Sequence, residues 1–157
     1  MQKIAPCLWF DGNAEEAARF YTSVFSESRI ATTLHYTDAG PGRKGDVLAV
    51  TFEIEGQEFM ALNGGPQYQF TPAISLFVHC ASQEEIDRYW ARLLDGGKPW
   101  QCGWLQDRFG VSWQIAPDAL LQMLRDPDTA KANRAMQAMM NMVKLDIAQL
   151  EQAFRGE

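Results

Sequence analysis

Few side chains in this sequence belong to types that do chemistry alone or in pairs. There are two histidines, His35 and His79, and three cysteines, Cys7, Cys80 and Cys102. The cysteines are odd in number and none forms a C-x-x-C pair. That pattern reads as free thiols in a reducing compartment, not as a disulfide framework or a thiolate metal site. A nucleophilic cysteine needs a depressed pKa and an adjacent base. No residue stands out as a base for Cys7, whose leading reading is a small buried hydrophobe. A first-row metal needs a cluster of histidine and carboxylate ligands, and none is visible along the chain.

The bulk properties narrow the classes further. The chain has 157 residues, 46% hydrophobic and 22% charged, enough apolar material for a core without metal or disulfide staples. Its net charge of -6 repels phosphate backbones, which argues against nucleic acid as a partner. Arg43-Lys44 is the only adjacent basic pair and fits a solvated loop. No apolar run reaches the roughly 18–20 residues of a membrane span. The opening residues MQKIAPCLWFDG carry one lysine and no long apolar run, so they do not read as a secretory signal. A cytoplasmic location is the expectation.

The elements that must position any site come from an internal repeat. Asn13-Ala14-Glu15-Glu16-Ala17-Ala18-Arg19-Phe20-Tyr21 overlays Ser82-Gln83-Glu84-Glu85-Ile86-Asp87-Arg88-Tyr89-Trp90. Both open on a capping residue followed by two glutamates, which favour a helix N-terminus. Asn13 with Glu16, and Ser82 with Glu85, have N-cap and N3 spacing. Apolar residues then follow at helical intervals: Ala17, Phe20, Tyr21, Val24 and Phe25 in one copy, Ile86, Tyr89, Trp90, Leu93 and Leu94 in the other. A short apolar run precedes each helix, over 4–10 and 73–80. Strands are predicted after the first helix at 30–36, 47–54 and 58–62, and after the second at 100–102, 104–106 and 111–116. The order β-α-β-β-β therefore occurs twice, giving an α+β fold. The expected divisions are a first module over 1–66, a second over 67–117 and a helical extension over 118–157, with helices at 118–125, 129–143 and 145–154. Met136, Met139, Met140 and Val143 form a stripe that reads as core or a subunit interface, or as an adaptable binding surface.

These features together resemble the PhnB-like branch of the vicinal-oxygen-chelate superfamily, the glyoxalase, bleomycin-resistance and dihydroxybiphenyl dioxygenase group. The matching stretches are Leu8-Trp9-Phe10-Asp11-Gly12-Asn13-Ala14-Glu15-Glu16-Ala17, Phe59-Met60-Ala61-Leu62-Asn63-Gly64-Gly65, and the run from Cys102-Gly103-Trp104 to Trp113-Gln114-Ile115. Asp126-Pro127-Asp128 and Lys144-Leu145-Asp146-Ile147 fit as well. The resemblance implies two curled mixed sheets around a shared cavity and, in many relatives, a divalent metal held by the first and last strands of each module. Carried over, its ligand positions fall on Ala5, Ser75, Gln114 and a residue near Ala61 or Asn63. Alanine cannot ligate and serine ligates poorly, so the expectation is no metal and no cofactor.

What remains is a cavity. Strand alternation places Cys7, Trp9, Ser75, Phe77, His79, Ser112 and Gln114 on its wall, with Asn63 and Trp104 near its rim. An apolar pocket with a few polar groups is the usual composition of a small-molecule site. Each member also has a structural reading. Gln114 and Asn63 could simply bond neighbouring strands, His79 could be a satisfied histidine at a sheet edge, and Trp9, Trp104 and Trp113 could be plain core. The first functional expectation is a metal-free small-molecule-binding protein of homodimeric assembly. The alternative is a metal-dependent enzyme of lyase, isomerase or dioxygenase type. Family members also carry a demethylubiquinone methyltransferase label, but an adenosyl cofactor normally needs a Gly-rich turn after a first parallel strand, and the sequence has none. A structural protein with a filled cavity is the remaining reading.

Overall fold

The first half of the chain folds as the repeat predicts. In a computed structural model describing residues 1–157, two units are distinguished, Met1–Gln69 and Phe70–Glu157. The first holds β1 (Cys7–Phe10), α1 (Ala14–Val24), β2 (Ser28–His35), β3 (Val47–Ile54) and β4 (Gln57–Asn63). Its sheet has the order β1-β4-β3-β2, with β1 parallel to β4 and the other pairs antiparallel. Helix α1 provides the crossover that a parallel pair requires. It buries Ala14, Ala17, Ala18, Tyr21 and Val24 against one sheet face. The three alanines let helix and sheet approach closely. Tyr21, Phe52 and Phe59 then stack in series, at 6.1 and 5.4 Å between ring centroids. Each such buried ring contributes about 2–3 kcal/mol of transfer free energy. Glu55 and Gly56 both have positive φ, 47° and 81°, and close the tight β3–β4 turn.

The N-terminus of α1 departs from the sequence expectation. Asn13 occupies the capping position, but its side chain makes no capping bond. Asn63, at the end of β4, does the work instead: its Oδ1 accepts from the Ala14 N–H at 2.9 Å. Its Nδ2 donates to the Val47 carbonyl at 3.0 Å, and its own carbonyl accepts from the Tyr36 hydroxyl at 2.8 Å. One side chain thus joins α1, β3 and β4.

The second unit holds β5 (Ser75–Cys80), α2 (Gln83–Leu94), β6 (Lys98–Pro99), β7 (Trp104–Gln106) and β8 (Ser112–Pro117). Three helices follow, α3 (Asp118–Leu124), α4 (Thr129–Met140) and α5 (Ile147–Arg155). The sheet order is β5-β8-β7-β6, with β5 parallel to β8. Here the capping box forms. Ser82 accepts from the Glu85 N–H at 3.2 Å, and Glu85 accepts from the Ala81 N–H at 2.8 Å. Ile86, Tyr89, Trp90 and Leu93 face the sheet and are buried.

The β7–β8 hairpin is organised by Asp107, which is only 3% exposed. Its Oδ1 accepts from the Phe109 and Val111 N–H groups at 2.8 and 3.0 Å, and its Oδ2 from the Trp113 indole at 2.9 Å. The backbone closes the same turn through Asp107 N–H to the Val111 carbonyl at 2.8 Å. This sets the pairing of Leu105 with Trp113 and of Trp104 with Gln114.

Several boundaries differ from those expected. The strands predicted from residues 4 and 73 begin at Cys7 and Ser75, leaving Ile4 and Ile74 exposed. The strand expected at 100–102 lies at Lys98–Pro99. The Cys102 and Gly103 N–H groups are instead taken by the Met142 and Val143 carbonyls, both at 2.8 Å, with positive φ at both residues. The C-terminal segment is thereby tied to the module. Gln83 adds two bonds to it, from its amide to the Leu145 carbonyl and from the Ile147 N–H to its Oε1. Lys144 pairs with Asp87 at 2.7 Å. The bonds from Lys144 and Gln83 hold the Asp87 carboxyl below its ordinary pKa. Ala116, Leu120, Met123, Ala135, Leu145 and Leu150 form the core of this helical part. No helix is long and apolar enough to cross a membrane.

Replacing Asp107 with alanine strands two N–H groups and an indole donor in a buried turn. The expected loss is about 2–4 kcal/mol of unfolding free energy, read by urea denaturation. A loss within error of zero would show that the hairpin does not depend on this carboxyl.

Candidate functional site

Alternation along β5 and β8 gives the second sheet two unlike faces. Leu105, Trp113, Ile115 and Cys80 are buried on the side of α2. Ser75, Phe77 and His79 of β5, Ser112 and Gln114 of β8, and Trp104 of β7 lie on the other. The register orders them into rows across the strands. Phe77 pairs with Gln114, which pairs with Trp104; beside that row, Ser75 pairs with Ser112, which pairs with Gln106. Six of the nine residues expected to form a site therefore share one face of one sheet.

The polar members of this face differ in how they are satisfied. Gln114 donates from Nε2 to Ser75 Oγ at 2.9 Å. That bond runs diagonally between the two rows and holds the amide in place. Gln114, Ser75 and Trp104 are half-buried, and Phe77 is 39% exposed. Ser112 is only 1% exposed, and its hydroxyl has no hydrogen-bond partner. His79 lies at the end of β5, where its Nδ1 is 3.1 Å from Asp118 Oδ1 and its ring is 4.8 Å from that of Phe77. Both members of the His79–Asp118 pair are solvent-exposed.

In the first unit the expected residues divide. Cys7 and Trp9 lie on the sheet face opposite α1, next to Met60 and Leu62 of β4. Trp9 is pegged in place: its indole N–H donates to the Gly65 carbonyl at 2.9 Å, and Tyr68 meets it edge-on at 5.0 Å. A Cβ at Gly64 would overlap the indole, so glycine is required where the chain crosses it. Asn63 has both side-chain atoms engaged in the fold.

One concavity was not anticipated from the sequence. A cleft of about 480 Å³ opens at the N-terminal end of α1, lined by Asp11, Glu15, Tyr36, Asp46, Asn63 and Gly64. Its outer wall is the Gly-rich loop over 37–45, which packs on the Tyr36 ring at Gly40 and Gly42. Its polar groups are largely committed. Glu15 pairs with Arg19, Asp46 with Arg43, and the Tyr36 hydroxyl with Asn63.

Neither Cys7 nor Cys80 is activated as a thiol. Burial, with the nearby Glu85 and Asp118 carboxylates, pushes the Cys80 pKa up to about 12 against a small opposing effect of Arg88. Cys7 is an exposed residue, yet partial desolvation of its sulfur still raises its pKa. Thiolate chemistry would require the opposite shift.

The residues at the superfamily's metal positions do not fit a divalent ion. Ala5 offers no donor, Ala61 is buried, the Ser75 oxygen is bonded to Gln114, and Asn63 is fully engaged. No group of three histidine, cysteine, aspartate or glutamate side chains comes together to hold a metal.

Comparison with known proteins places this geometry in context. The 3-demethylubiquinone-9 3-methyltransferase family matches residues 2–116. The PhnB protein of Bacillus cereus is 41% identical, with 74% of this chain and 99% of that chain covered and a TM-score of 0.68. A fosfomycin resistance protein from Listeria monocytogenes is 15% identical over 74% of this chain and 93% of that chain, with a TM-score of 0.50. A glyoxylase/bleomycin resistance protein/dioxygenase domain from Frankia sp. is 12% identical over 74% and 92%, also at 0.50. The last two share the fold, which is glyoxalase-like. Among curated proteins, none matches the chain.

Replacing Ser112 with alanine removes a hydroxyl that is buried without a partner. The variant is expected to be more stable by about 1 kcal/mol, read as a higher denaturation midpoint. A drop in stability would mean that the hydroxyl is bonded in solution.

Proposed function

The chain belongs to the PhnB-like family matched by the 3-demethylubiquinone-9 3-methyltransferase description, and from that premise we propose that it binds a small organic molecule without a metal, on the open face of its second sheet. The observation that carries this reading is the pair of rows on that face. An aromatic–amide–aromatic row, Phe77–Gln114–Trp104, borders a polar row, Ser75–Ser112–Gln106. An exposed Phe77 and a half-buried Trp104 on either side of an amide held in place by Ser75 supply the apolar surface and the oriented polar group that a small ligand needs. The replacement of ligating residues by Ala5 and Ser75 supports binding by contact and hydrogen bond over metal chelation.

The metal-dependent alternative lacks support from the residues. It would need Gln114 and Ser75 to exchange their mutual bond for coordination, and serine is a poor ligand to first-row ions. Methyl transfer, which the family description names, is not extended to this chain. Its two βα turns are Asp11-Gly12-Asn13 and Ala81-Ser82, and neither is a Gly-rich cradle for an adenosyl cofactor.

Titration of tryptophan fluorescence with a panel of small aromatic and cationic compounds tests the proposal. At least one compound is expected to give saturable quenching, while adenosylmethionine gives none and untagged protein carries only substoichiometric metal. A panel that leaves the tryptophans unperturbed, or stoichiometric bound metal, would overturn the reading.

A further inference from the structure

We infer that the ligand of this face is a neutral, flat heterocycle with a lactam-type edge, an N–H beside a C=O. The inference rests on the reading that the open face of the second sheet holds a small molecule, and it names the chemistry that the face selects.

Gln114 is the centre of the argument. It stands between Phe77 on β5 and Trp104 on β7, each its direct partner in the register. Adjacent strands lie about 4.8 Å apart, so the backbones that carry the two aromatic residues flank that of Gln114 across about 10 Å. A planar ring standing on edge over Gln114 would lie about 5 Å from each, within the range in which aromatic rings attract.

The floor of that slot is an amide with a defined orientation. One hydrogen of Gln114 Nε2 is spent on Ser75 Oγ at 2.9 Å. The second hydrogen and Oε1 are left as an adjacent donor and acceptor. A lactam presents the complementary acceptor and donor at the same spacing, so two parallel hydrogen bonds can form. Ser75 is then a positioning residue, because its bond selects the amide rotamer.

The surrounding charge argues for neutrality. The two rows carry no lysine, arginine, aspartate or glutamate; they are Phe77, Gln114, Trp104, Ser75, Ser112 and Gln106. The nearest ionisable groups on this face, His79 beside Phe77 and its partner Asp118, are paired with each other at 3.1 Å, so an ionic ligand brought there would lose hydration without gaining a free counter-charge.

Calorimetric titration with 2-pyridone, N-methyl-2-pyridone and benzoate tests the inference. 2-Pyridone has the full edge, the N-methyl compound lacks the donor, and benzoate carries a charge. The wild-type chain is expected to bind 2-pyridone at least about tenfold more tightly than either other probe, the usual consequence of leaving a buried polar partner unpaired. Gln114→Met keeps the side-chain volume and is expected to bring the two pyridones within about twofold of each other. Gln114→Glu, a second isosteric variant, is expected to weaken 2-pyridone by a similar factor. Ser75→Ala is expected to narrow the gap between the two pyridones while circular dichroism and thermal midpoint stay unchanged. Equal binding of the two pyridones by the wild type, or discrimination unaffected in Gln114→Met, would overturn the inference and leave small-molecule binding standing. So would failure of 2-pyridone while other aromatics quench the tryptophans. No binding by any compound would overturn both.

Discussion

A buried carboxyl, Asp107, decides which side of the second sheet is which. Strand side chains alternate with a period of two, so a slip of one residue between β7 and β8 would move every side chain to the opposite face. The turn that prevents this slip is closed by two backbone N–H groups and the Trp113 indole, all bonded to one side chain. Trp113 is thereby held on the α2 side, and Gln114 is committed to the open side with Trp104 opposite it. The parallel partner β5 then adds Phe77 and Ser75 in register. The proposed binding surface is a consequence of this pairing, not of any single reactive group.

The two modules spend similar parts differently. In the first, the amide at the end of β4, Asn63, is consumed in joining α1 to β3 and β4, and the aromatic on the edge strand, Trp9, is consumed by the Gly64-Gly65 crossing. In the second, the capping task falls to Ser82 and Glu85, and Gln114, on the face away from α2, is held by one bond. Ser112 marks the same surface by a different route. A buried hydroxyl without a partner lowers stability, the kind of local inconsistency that tends to sit at functional positions.

Much of this was legible in the sequence because it depends on local periodicity. The repeated helix, the Ser82–Glu85 box and the face assignments of Phe77, Gln114 and Trp113 follow from spacing alone. What was illegible depends on residues distant in the chain. Asn63 caps a helix that begins 49 residues earlier, so Asn13 looked like the cap and is not. The strand expected at 100–102 gives way where the carbonyls of Met142 and Val143, about 40 residues on, take the N–H groups of Cys102 and Gly103. Asp107 looked like an ordinary turn residue, since nothing local says that a turn will be buried. The cleft beside Tyr36 arises from a Gly-rich loop whose path no periodicity describes. Within the candidate site, alternation identified the face, but only the register between β5, β8 and β7 reveals which residues stand side by side.

The side-chain resonances of Gln114 and the tryptophan indoles test the central claim most directly. In a ¹⁵N-labelled sample titrated with a small aromatic ligand, the Gln114 amide and Trp104 indole signals should shift together and saturate. The Trp113 indole, bonded to Asp107 on the opposite face, should stay in place. Shifts confined to residues around the Tyr36–Asp46 cleft, with Gln114 and Trp104 unmoved, would contradict the account.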